Sequence, residues 1–239
     1  MCTGLPGPPD ADPDDRVPRV EATVHELKSA VAESLARAPI IAVVRHPDRA
    51  VAALQARAFM RHGLEMIEVT FTVPGATDLV RELLDERPSG STIRIGMGTV
   101  TSASRAQQAV AAGSEFVVTP NVCAAVAGIA RAHGLYLCMG GLTPSELVAA
   151  HELGADLLKV YPLPPVGGPA YLSVVRQPLG DLAPMLAGGG FGIEEIPAYR
   201  AAGAVAFGLG AVLLSPDDEA TASNIRRALA LARGRPSDP

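Results

Sequence analysis

Two side chains carry the least replaceable chemistry in this sequence. Of its 239 residues only Lys28 and Lys159 are lysines; the other eighteen basic residues are arginines. Imine formation with a ketone needs a primary amine, which arginine cannot supply. At the ordinary lysine pKa, about 10.4, only about 0.04% of the side chain is neutral at pH 7. Apolar burial penalises the ammonium and makes the amine a usable nucleophile. Lys159 lies in the apolar run LLKVYP (157–162), which offers that burial, whereas Lys28 lies on a helix expected to lead into the domain and reads as a solvated side chain. An imine accomplishes little unless protons move. Glu68, in MIEVTF (66–71), is a carboxyl group suited to act as general base and acid.

The runs around these residues follow one plan. A short apolar strand, a turn and an Ala-rich helix recur from Pro39 onward. The strands are expected at 39–45, 66–71, 92–100, 116–121, 135–140, 157–162, 183–190 and 204–210. Gly63, Gly113, Gly134, Gly154 and Gly203 stand where helix C-termini want a left-handed residue. Thr143-Pro144 reads as an N-cap followed by proline at the first helical position. Eight strand–helix units within one domain length predict an α/β fold, a (β/α)8 TIM barrel, over residues 23–235. A doubly wound open sheet also alternates strand and helix, but the count of eight favours the barrel. An extra helix is expected at Val24–Ala38, after a Pro/Asp-rich tail, residues 1–22, whose composition predicts disorder.

Alternation along the strands then sorts side chains between lumen and helix layer. Met66, Glu68, Thr70 and Thr72 share one face and Ile67, Val69 and Phe71 the other. The same rule points Leu157, Lys159 and Tyr161 inward, and Ile41, Val43 and Arg45 with them. Lys159, Glu68 and Arg45 therefore converge near the C-terminal strand ends, where barrel active sites lie. A structural buried ion pair is the competing reading of Lys159 and Glu68, although such pairs are costly. Glycines supply a second constellation: PVGGP (165–169), AGGGFG (187–192) and FGLG (207–210) follow strands six, seven and eight. Bare backbone N–H groups there would suit a phosphate.

Other classes of function find little support. With 25 Asp+Glu against 20 Lys+Arg the formal net charge is −5, which argues against nucleic acid and anionic membrane as partners. The five histidines lack metal-ligand spacing, so no metal is expected. His46 is a minor candidate for substrate contact. Cys2, Cys123 and Cys138 show neither metal nor redox spacing. A cytoplasmic location with reduced thiols is the expectation, since the N-terminus does not read as a signal peptide and no run is long enough to span a membrane.

Taken in order, IIAVVR, MIEVTFTVPGA, GMGTVTS, FVVTPN, LLKVYP and AGGG resemble the 2-keto-3-deoxy-6-phosphogluconate (KDPG) / 4-hydroxy-2-oxoglutarate (KHG) aldolase family over residues 30–215. The resemblance implies a class I, imine-forming pyruvate aldolase that needs no cofactor. It implies a homotrimer acting on a phosphorylated keto acid in carbohydrate metabolism of the Entner–Doudoroff type. By motif, Lys159 would form the imine with pyruvate and Glu68 would serve as acid and base. Arg45 and Thr99 would hold the substrate carboxylate and hydroxyls, and Pro120 would line the pocket. Gly168, Gly189, Gly190 and Gly208 would receive the phosphate. Thr72 stands where many members carry arginine, Pro164 where many carry glutamate, and Ala187 replaces a usual threonine. A KHG-type substrate, a phospho-sugar epimerase or isomerase, and a metabolite-binding barrel are the alternatives.

Overall fold

The structure is a computed structural model whose described residues are 17–234. Eight parallel strands close a barrel in the order of the chain, β1 (Ile40–Val44), β2 (Met66–Thr70), β3 (Arg94–Gly98), β4 (Phe116–Val118), β5 (Tyr136–Gly141), β6 (Leu157–Val160), β7 (Met185–Ala187) and β8 (Ala206–Leu209). Every expected strand is present. After helix α1 (Val17–Arg37), eight helices alternate with the strands: α2 (Arg49–Arg61), α3 (Ala76–Glu86), α4 (Ala103–Ala111), α5 (Ala124–Ala132), α6 (Pro144–Glu152), α7 (Pro169–Arg176), α8 (Ile196–Ala201) and α9 (Asp218–Arg233). Among the described residues no helix is long and apolar enough to cross a membrane.

Local signals account for where the helices begin and end. Asp48 caps α2 by accepting from the N–H groups of Ala50 (2.7 Å) and Val51 (3.2 Å). Thr143 and Glu146 form a reciprocal capping box at α6, and its N–H donors hold the Glu146 carboxylate below the ordinary range. All five glycines expected at helix C-termini have positive φ, from 66° at Gly134 to 100° at Gly203.

Alternation sorts the core into two clusters. Ile40, Ala42, Val44, Ile67, Val69, Leu158 and Val160 pack with the helices. Ile41, Met66, Phe116, Tyr136, Cys138, Leu157 and Leu186 fill the barrel interior. Val31 and Leu35 of α1 join the interior cluster, so this helix closes the N-terminal end.

Two expectations about this region need correction. Helix α1 begins at Val17 and takes in residues 17–22, which composition assigned to the tail; the remainder of that tail, residues 1–16, lies outside the described residues. The segment from Val17 contains no glycine, and Pro18 falls in the first turn, where its missing N–H is not needed. Lys28 is also not simply solvated. It donates to both carboxylate oxygens of Asp156 (2.9 and 2.8 Å), the residue before β6, while Asp156 accepts from the Leu137 N–H at 2.8 Å. This tie fastens α1 across the mouth opposite the C-terminal strand ends.

Candidate active site

At the C-terminal end the barrel opens into a cavity of about 670 Å³. Its walls come from Val43 of β1 and Arg45 just after it, Lys159 of β6 and Tyr161 just after it, the glycine loop after β7, and the end of β8 with the turn that follows. Lys159 is half-buried, and its Nζ stands 5.1 Å from the centre of the Tyr161 ring. Leu158 and Val160 on either side are wholly buried in the helix layer, which fixes the strand register and aims Lys159 inward. A Cβ at Gly188 would come within 3.2 Å of Lys159 Cε, so glycine gives the lysine stem room.

Glu68 is 2% exposed, and its Oε1 has no hydrogen-bond partner among the described residues. Burial raises its pKa above the ordinary carboxylate range, against the opposing pull of the positive charges on Lys159 and Arg45. A carboxyl group whose protonated form is favoured in this way can both give up and take back a proton. Gly98 of the neighbouring strand makes the space, since a Cβ there would lie 2.5 Å from Glu68 Cγ and closer still to the carboxyl atoms. Cys138 shares this interior; burial pushes its thiol up to about 12, so it remains a neutral packing group.

On the other side of the mouth, Arg45 Nη2 donates to Thr99 Oγ1 at 3.3 Å. The exposed guanidinium retains donors for a carboxylate. Thr72 lies just past the end of β2, beside Thr70 on the face that alternation assigns to both. Thr70 Oγ1 donates to the Val44 carbonyl (3.0 Å) and lies 2.7 Å from Thr72 Oγ1. With the Thr70 proton committed, Thr72 must donate to Thr70, leaving only lone pairs to offer an incoming group.

The Gly-rich half of the cavity includes Gly189, Gly190 and Gly208, as expected. The N–H groups of Gly189 and Gly190 have no backbone acceptor among the described residues. Gly189 has φ 131°, and a Cβ there would sit 2.8 Å from Pro164 Cδ and 2.9 Å from Leu163 N, so only glycine fits. Gly168 is not among the residues bordering the cavity, and its N–H already donates to the Leu163 carbonyl at 3.0 Å. Pro120, Glu68, Thr72 and Thr99 likewise do not border it. The turn at Pro120 is set by Thr119 Oγ1, which donates to the Asn121 carbonyl (2.7 Å) and accepts from the Gly140 N–H (3.0 Å). His46 Nδ1 accepts from the Asp48 N–H at 3.0 Å, which ties it to the start of α2.

Sequence reasoning passed over several wall residues. Gly188, Gly192 and Gly210 stand inside the quoted glycine runs, and Val43 is on the inward face with Arg45, so a signal existed for each. Phe191 and Leu209 lie inside the same runs, whereas Ala211 and Val212 carried no signal, because apolar and small residues acquire a role here only through position.

Known proteins are similar to this chain in sequence and architecture. A family model described as KDPG and KHG aldolase matches residues 31–228. A 2-dehydro-3-deoxy-phosphogluconate aldolase of Pseudomonas aeruginosa is 31% identical over 177 residues, 74% of this chain and 79% of that protein. A 2-dehydro-3-deoxy-6-phosphogalactonate aldolase of Escherichia coli is 29% identical over 73% of this chain and 84% of its own. The crystal structure of the 2-keto-3-deoxy-6-phosphogluconate aldolase of Zymomonas mobilis with 3-phosphoglycerate superposes with a TM-score of 0.73 at 26% identity. The match covers 84% of this chain and 95% of that one.

Proposed function

The chain belongs to the KDPG and KHG aldolase family, lyases of the 2-dehydro-3-deoxy-phosphogluconate aldolase type, and we propose that it cleaves a 2-keto-3-deoxy-6-phospho sugar acid to pyruvate and glyceraldehyde 3-phosphate through an imine on Lys159. The observation that carries this reading is Lys159 in the cavity wall with its charge acting on Glu68, a buried carboxyl with an unpartnered oxygen that does not itself border the cavity.

In this mechanism Lys159 Nζ attacks the C2 ketone and water leaves, giving a protonated imine that withdraws electrons from C3. Glu68 helps remove the C4 hydroxyl proton, the C3–C4 bond breaks, and the electron pair is held as an enamine. Glyceraldehyde 3-phosphate departs, C3 is protonated, and hydrolysis of the imine frees pyruvate and Lys159. Arg45 and the Thr99 hydroxyl receive the carboxylate. Tyr161 flanks the lysine. The N–H groups of Gly189 and Gly190, with Gly208 beside them, receive the phosphate; Gly168 shapes the neighbouring turn rather than touching it. Pro120 and Thr72 support the mouth from β4 and β2. The protein acts as a homotrimer, as the family resemblance implies, and its place of action on this reading is the cytoplasm.

Borohydride reduction in the presence of pyruvate, followed by peptide mass mapping, tests the reading. With two lysine side chains in the whole sequence, peptide mapping assigns a lysine adduct directly. A reduced pyruvyl group on Lys159 is the expected result. A folded protein that gains no adduct would overturn the imine. Specificity constants for phosphorylated and non-phosphorylated keto acids then test the role of the glycine loop.

A further inference from the structure

Arg105 makes contacts that the reaction above does not use. It sits in the first turn of α4, where its own N–H donates to the capping hydroxyl of Ser102 at 3.3 Å. A cation there faces the positive end of the helix dipole, so helix formation does not explain the guanidinium. Its partners lie elsewhere. Nη1 donates to the Thr99 carbonyl at 3.0 Å and to Thr101 Oγ1 at 2.9 Å, and the guanidinium lies 5.3 Å from the centre of the Phe71 ring.

Thr99 is also unusual. It is the one non-glycine residue with positive φ among the described residues, at 60°. A β-branched residue in that region is strained and persists only where its surroundings hold it. Two arginines do so from opposite ends: Arg105 grips the carbonyl, and Arg45 meets the hydroxyl at 3.3 Å. Were the backbone to relax to negative φ, the Cα–Cβ bond would swing and carry the hydroxyl away from Arg45.

We propose that Arg105 is a positioning residue, which clamps Thr99 in its left-handed conformation so that the Thr99 hydroxyl and Arg45 together present a preformed site to the substrate carboxylate. The inference rests on the carboxylate role given to Arg45 and Thr99 above. Arg105 itself touches no substrate; it acts through the backbone of Thr99, and the Phe71 ring 5.3 Å from its Cζ supports the guanidinium while Nη1 makes both bonds.

The test is a double-mutant cycle of Arg105→Met and Thr99→Gly, with KM for pyruvate, kcat and Tm measured for each protein. In the Thr99 background, Arg105→Met should raise KM about tenfold, which is about 1.4 kcal/mol. The kcat should stay within about twofold, because Lys159 and Glu68 are untouched. In the Thr99→Gly background the same change should alter KM by less than about twofold, since no hydroxyl remains to be aimed. An unchanged KM in Arg105→Met would overturn the proposal. So would equal fold-losses in the two backgrounds, which would mean that Arg105 acts through its charge alone. Borohydride trapping of the unsubstituted protein separates the two levels. No adduct removes the aldolase reading and the clamp with it, whereas a normal adduct with an unmoved KM removes the clamp only.

Discussion

Gly98→Ala should disable the protein by striking Glu68 from behind. The new Cβ would stand 2.5 Å from Glu68 Cγ, whereas carbon atoms rest about 3.5 Å or more apart. The side chain must therefore retreat by roughly 1 Å. Glu68 is 2% exposed, so it has no solvent-filled space in which to retreat. Overpacking of this kind costs about 1–3 kcal/mol. For a domain of this size that lowers Tm by roughly 2–12 °C. A displacement of about 1 Å in a reacting group can reduce turnover by about 100-fold. The assay is kcat for keto-acid cleavage together with a thermal melt, repeated in a Glu68→Ala background. There the obstructed carboxyl is gone, and Gly98→Ala should cost less than about 0.5 kcal/mol because it occupies the vacated volume. Wild-type kcat and Tm in Gly98→Ala would refute the reasoning. Equal destabilisation in both backgrounds would show that Gly98 is needed for its backbone and not for the space it leaves Glu68.

Further outcomes follow from the same geometry. Lys159→Arg should keep the fold, seen as an unchanged circular dichroism spectrum, yet abolish turnover and borohydride trapping; substantial residual activity would contradict the imine. Because burial raises the Glu68 pKa, stability should fall as pH rises above the ordinary glutamate value of about 4.3. Below that value the carboxyl is protonated in both folded and unfolded states, whereas above it only the unfolded state ionises freely. Glu68→Gln should lack this slope, and parallel Tm-against-pH curves for the two proteins would contradict it. Gly189→Ala should raise KM for the phosphorylated substrate by about tenfold or more through a steric clash with the Pro162–Pro164 turn, while pyruvate still forms an adduct with Lys159. Lys28→Met should lower stability by about 1 kcal/mol, or roughly 2–4 °C in Tm, and leave kcat unchanged, because the Lys28–Asp156 pair lies at the opposite mouth and is partly screened by solvent.

Strand alternation identified the inward set well because its physical basis is local. A residue's face is decided by its neighbours one and two positions away, and apolar Leu158, Val160, Ile67 and Val69 leave Lys159 and Glu68 only the lumen. Helix ends were equally legible, since a left-handed glycine such as Gly63 or a capping threonine such as Thr143 acts within one turn. Lys28 was misread for the opposite reason: its partner Asp156 is 128 residues away, and no local pattern carries that pairing.

The sequence by itself thus determined the barrel, the inward placement of Lys159, Glu68 and Arg45, and the glycine runs beside them. Short-range periodicity and backbone freedom are sufficient for those features. Only the tertiary structure decided which of the converging groups are free to act. Closure of the barrel buries Glu68 against Gly98, commits the Thr72 proton to Thr70 and joins Arg45 to Thr99. It also places Arg105 on the Thr99 carbonyl, while the turn after β6 commits the Gly168 N–H to Leu163. Each donor has one proton to give along each N–H or O–H bond. For Thr70 on Val44 and Arg45 on Thr99 the acceptor depends on the approach of separate strands, a property of the closed barrel, whereas the Gly168–Leu163 bond closes within one turn.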